Sequence, residues 1–130
     1  MASNIQKSKE LRAYKKRRKE TRKKLKRMAK IYKPYDWGYL QDFVEVIIND
    51  MYDYYNEGVN VWQVDESRLT IVNQLLKALD LIDATKEDHY GFDCSKQYTP
   101  EEYQEMENKI HKAYEDLYTF VGKHLQEWWD

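Results

Sequence analysis

From Asp36 to Trp128 the apolar residues recur at helical spacing in three separate runs, and each run opens with a helix-start signal. The fullest is Thr99-Pro100-Glu101-Glu102, with Thr99 as N-cap, Pro100 at the first helical position, Glu102 completing a capping box, and Tyr98 facing Tyr103 as a hydrophobic staple. Asp36, between Tyr35 and Leu40, and Asp65, between Val64 and Leu69, repeat the arrangement at the first and second runs. In each, a side-chain oxygen accepts one of the N–H groups that the first helical turn leaves without a partner.

The spacing predicts helices over 37–56, 66–84 and 100–128. The first places Trp37, Leu40, Val44, Ile47, Ile48, Met51 and Tyr55 on one face and Asp42, Glu45, Asn49 and Asp53 on the other, with Gly58 as its stop. The second offers Leu69, Val72, Leu75, Leu76, Leu79 and Ile82, with Arg68, Asn73, Lys77 and Asp80 outward. The third runs through Tyr103, Met106, Ile110, Ala113, Leu117, Val121, Leu125 and Trp128 in a near-heptad pattern. Short links favour antiparallel neighbours, so the expected fold is all-α, an antiparallel three-helix bundle preceded by a basic N-terminal helix or arm. The longer link over 85–98 is either an ordered loop or a mobile one.

Charge divides the chain sharply. Residues 1–33 hold 15 Lys/Arg against Glu10 and Glu20, whereas the remainder holds 7 Lys/Arg against 21 Asp/Glu, so a net charge of -1 conceals segments of +13 and -14. Seventeen of the 19 aromatic residues, all but Tyr14 and Tyr32, lie in the acidic part and supply the apolar area a fold needs. Two regions are therefore expected: a basic arm over 1–33, helical or disordered, and an acidic helical body over 34–130. Lys33, restrained by Pro34, ends whatever precedes it. Residues 8–32 contain no helix breaker, and Leu11, Tyr14, Leu25, Met28 and Tyr32 share a track that Arg18 and Thr21 interrupt. Self-repulsion predicts partial disorder until a polyanion or a packing surface orders the segment. The charge split suggests the acidic body itself as that surface.

The stretch Pro34-Tyr35-Asp36-Trp37-Gly38-Tyr39-Leu40, the Asp50-Met51-Tyr52 that follows, and the terminal Trp128-Trp129-Asp130 resemble a set of small helical proteins encoded by tailed bacteriophages. The resemblance implies a phage origin and expression in the cytoplasm of a bacterial host. It carries no activity and no functional residue. The single cysteine, Cys94, fits a reducing compartment, and neither a secretory signal nor a spanning segment is expected.

The basic segment is the strongest functional signal. Lys15, Lys16, Arg17, Arg18, Arg22, Lys23, Lys24, Lys26 and Arg27 are the candidate contacts to a DNA or RNA backbone. About 6 to 8 such contacts give a log–log salt slope of roughly -5 to -7, without base reading. The ordinary alternative is a solvated arm, or one docked on an acidic surface of the same or another copy; membrane binding is not expected because the apolar stripe is thin. A second functional reading is a protein-interaction module in which the acidic aromatic body, with Trp62 and Trp129 as contacts, binds a host or phage protein, and oligomerisation is compatible with either. No catalytic residue, metal site or cofactor is assigned, and a non-enzymatic role is expected. His89 and Cys94 lack a second Cys/His pair, Glu107 and His111 are four apart where a di-iron bundle needs three, and the four glycines form no phosphate loop.

Overall fold

The computed structural model describes residues 4–57 and 66–128, and these form helices and connecting turns with no strand among them. The helices are α1 (Asn4–Ile31), α2 (Trp37–Glu57), α3 (Glu66–Asp83) and α4 (Pro100–His124), with single 3₁₀ turns at Glu87–Tyr90 and Leu125–Glu127. The all-α expectation holds at this level, and the basic segment is itself a helix of 28 residues. The Gly58 stop and the Asp65 cap with Val64 lie outside the described residues. The chain forms two compact units, Met1–Leu75 and Leu76–Asp130.

In the first unit, α1 and α2 make an antiparallel hairpin. The chain just past the end of α1 meets early α2, as in the edge-on Tyr32–Tyr39 ring contact at 6.1 Å, and mid-α1 residues meet late α2, as in Arg17–Glu57. Lys33 and Pro34 break α1, the Asp36 N–H donates to the Lys33 carbonyl at 3.2 Å, and the Asp36 carboxylate accepts from the Gly38 N–H at 2.9 Å. This is the N-cap the sequence predicts. The buried positions of α2 are Gln41, Ile48 and Tyr55, spaced seven apart, while Trp37, Leu40 and Ile47 of the expected apolar face are exposed. The acidic face of α2 is divided: Asp42 and Asn49 are exposed as expected, and Glu45 and Asp53 are half-buried. Asp42, Glu45, Asn49 and Asp53 line a cleft with Thr21, Lys24 and Met28 of α1.

Arg68 corrects a further expectation. Instead of pointing outward from α3 it is buried, 8 % exposed, and its Nε donates to the Tyr55 carbonyl at 2.6 Å. Tyr55 lies in the last turn of α2, where carbonyls have no intrahelical donor and the helix dipole favours a cation. Arg68 thus begins the buried track of α3, while Leu69 and Leu76 are exposed.

The second unit buries Ala78, Ile82, Ala113, Leu117 and Trp128. Its α4 starts as its sequence requires: the Glu102 N–H donates to Thr99 Oγ1 at 3.1 Å, the Thr99 N–H donates to Glu102 Oε1 at 3.2 Å, and the Tyr98 and Tyr103 rings meet at 5.6 Å. The segment over 85–98 is ordered by its own contacts. Tyr90 Oη donates to the Ala84 carbonyl at 2.6 Å, Gly91 takes the left-handed conformation at φ 69°, and Phe92 stacks on Tyr98 at 4.9 Å. At the end of α4 the tightening to a 3₁₀ turn carries Trp128 inward beside Phe120, 6.5 Å between ring centroids, and leaves Leu125 exposed.

Candidate nucleic-acid interface

The periodicity of α1 divides its residues between two jobs. Tyr14 is buried, and Arg17, Arg18, Thr21, Leu25 and Met28 are half-buried, so the track that faces α2 includes the polar residues that interrupt the apolar pattern. Arg18 forms an ion pair with Asp50, and Arg17 forms one with Glu57. The hydrogen bond that Arg18 donates to Asp50 raises the Arg18 pKa further above its already high value, against the opposing effect of burial. An interruption in the apolar stripe is thereby converted into a charge-assisted contact. Its partner lies 32 residues away in sequence.

Of the nine cations assigned from sequence, the structure separates three from the rest. Arg17 and Arg18 are engaged with α2, and Lys24, although exposed, lines the cleft that holds Asp42, Glu45, Asp50 and Asp53. Lys15, Lys16, Arg22, Lys23, Lys26 and Arg27 are exposed. At 3.6 residues per turn, the side of α1 opposite Tyr14 and Tyr32 carries Arg12, Lys16, Lys19, Lys23, Lys26, Arg27 and Lys30, all exposed, with Glu20 at one edge. Arg12, Lys19 and Lys30 are members of the row that the nine candidates omit, although Lys19 lies within the densest basic run. Projecting the sequence onto a helical wheel centred on Tyr14 and Tyr32 finds them. From Arg12 to Lys30 the row runs about 27 Å at 1.5 Å per residue. Because the helix is packed along α2, these charges are held in a fixed order rather than dispersed over a flexible tail.

The two flanks of the α1–α2 contact differ chemically. The cleft beside Lys24 and Met28, about 510 Å³, is rich in carboxylates, and desolvation there raises the pKa of Asp53, with Arg17 opposing and Asp50 adding to the effect. On the other flank, a groove of about 680 Å³ begins at Ala29 and is lined by Tyr32, Tyr35, Trp37, Leu40 and Phe43.

The candidate partner contacts Trp62 and Trp129 lie outside the described residues. Two other aromatic residues of the acidic part, Tyr55 and Trp128, are buried and serve packing. Cys94 is exposed, and His89 Nδ1 lies 3.0 Å from Asp83 Oδ2. Among the described residues, no three His, Cys, Asp or Glu side chains are grouped so as to hold a metal ion, and no helix is long and apolar enough to cross a membrane. No protein-family model, curated protein or solved structure matches the chain.

Proposed function

We propose that this is a non-enzymatic accessory protein, of phage type and acting in the cytoplasm of a bacterial host, that binds nucleic-acid backbones without base specificity through the outer face of α1. The observation that carries the reading is the row of exposed cations from Arg12 to Lys30 on the side of α1 turned away from its packed face. Each Lys or Arg that meets a phosphate releases condensed counterions, which favours binding to any sequence and makes it sensitive to salt. Pairing of Arg17 and Arg18 with α2 supports the same reading, because it neutralises carboxylates next to the interface and fixes the helix that carries the row.

Titration of the full chain against labelled duplex and single-stranded oligonucleotides in dilute buffer tests the proposal. Retention of at least one of them, lost when Lys16, Lys19 and Lys23 are changed together to Glu, is the expected result. Failure to retain either, even at the lowest salt, refutes it.

A further inference from the structure

On the function proposed above, the groove at the α1–α2 turn identifies the form of nucleic acid preferred: we infer that it stacks the unpaired bases of a single strand whose phosphates lie on the adjoining cations of α1. Tyr35 and Trp37 are 81 % and 68 % exposed, and both line the groove with Tyr32, Leu40 and Phe43. Large rings at such exposure are costly to leave in water, and here they are gathered at one turn. The edge-on contact with Tyr39 sets the orientation of the Tyr32 ring. Pro34 and the Asp36 cap fix the turn that presents Tyr35 and Trp37.

Charge decides the occupant. Ala29 forms the α1 wall of the groove, and Arg22 and Lys26 precede it by seven and three residues, which places them on the same side of the helix, while Lys33 follows just past the helix end, next to Pro34 of the groove wall. All three are exposed, and Lys30 stands beside them. The carboxylate in the groove wall, Asp36, already accepts the Gly38 N–H. Aromatic faces next to a cationic track are the arrangement by which proteins hold single strands without choosing a sequence, since every base has a face to stack and every nucleotide a phosphate to pair. A duplex keeps its bases stacked on each other and can use only the cations. An apolar peptide would use the groove but would gain nothing from the Lys/Arg row.

The test compares an oligodeoxythymidylate of about 12 nucleotides with a duplex of the same length, both titrated against the full chain. Tyr35→Ala and Trp37→Ala are each expected to weaken single-strand binding by about 5- to 150-fold while duplex binding holds within about 2-fold. Tyr35→Phe and Trp37→Phe, which keep a ring, restore it. Tryptophan emission that falls on titration with the single strand, and no longer does so in Trp37→Phe, locates the contact. Equal loss on both nucleic acids, no loss on either, or uptake by anionic vesicles in place of single-strand preference would overturn the inference. Tyr35→Ala alters only an exposed turn residue, so it remains informative if Trp37→Ala does not fold. Binding of duplex and single strand with equal affinity, insensitive to either ring, defeats the groove alone; binding of neither defeats the function on which it rests.

Discussion

The division of labour along α1 makes a quantitative prediction about salt. If all seven outer cations, Arg12, Lys16, Lys19, Lys23, Lys26, Arg27 and Lys30, meet phosphates of a duplex, each contributes about -0.9 to the slope of log affinity against log salt, for a ceiling of about -6. Raising salt from about 50 to about 200 mM then weakens binding roughly 6,000-fold. Changing Lys16, Lys19 and Lys23 to Gln removes three contacts, leaving a slope of about -3.6 and a loss of only about 150-fold over the same range. Arg17→Ala with Arg18→Ala removes two charges from the same helix but none from the outer row, so the slope should stay close to that of the unaltered chain. Its effect appears in stability instead, at about 1–3 kcal/mol, because Asp50 and Glu57 lose charge-assisted hydrogen bonds at partly exposed positions. Fluorescence anisotropy with a labelled duplex across the salt series gives the slopes, and urea unfolding gives the stabilities. A slope that falls as far in the Arg17/Arg18 variant as in the Gln variant would mean that α1 leaves α2 to bind, and the reasoning from a packed helix would fail.

Three further outcomes follow from the packing and the caps. Leu117 is fully buried, and Leu117→Ala should cost about 2–5 kcal/mol in urea unfolding; a loss under about 0.5 kcal/mol would show that the site is not a packed core. Thr99→Ala removes one half of the α4 capping box and should cost about 0.5–2 kcal/mol, with hydrogen exchange rising first at the amides of the first turn of α4. At Asp53, burial raises the folded-state pKa, so the folded chain holds that proton more tightly than the unfolded chain does. Its contribution is favourable below the ordinary carboxylate range and is lost as pH rises through the raised value. Asp53→Asn should accordingly raise the melting temperature at neutral pH, with the gain vanishing in acid, and an unchanged or lower melting temperature at neutral pH would contradict the assignment.

What could be read from the sequence was what depends on near neighbours. The capping box of Thr99 and Glu102, the Tyr98–Tyr103 staple and the Asp36 cap join residues only a few positions apart, so their chemistry announces itself locally. The helix boundaries follow from these caps and from Pro34. Arg18 and Arg68 show the limit. Arg18 reads only as an interruption of an apolar track and Arg68 as polar and outward, yet Arg18 is held by Asp50 and Arg68 by the Tyr55 carbonyl, partners that no local pattern indicates. At the end of α4 the difference has another cause: the spacing of four continues to Leu125, whereas the chain tightens there, leaving Leu125 exposed and His124, whose ring lies 4.6 Å from Phe120, half-buried, while Trp128 is buried as the spacing predicts. The candidate interface was half legible. Charge density located the helix, but only its buried track reveals which cations are turned outward.

The unlike flanks of the helical hairpin give it a sidedness that a basic tail lacks. A polyanion settling along α1 meets Asp42, Glu45 and Asp53 if it leans one way and the rings of Tyr35 and Trp37 if it leans the other. On the function proposed, repulsion on the first side and stacking on the second would bias its lateral path, and the hairpin would act as a rail with a single open shoulder. A strand long enough to pass beyond Lys33 should leave the protein in one preferred direction, which tethering a cleavage reagent near the turn would reveal as cuts to one side only.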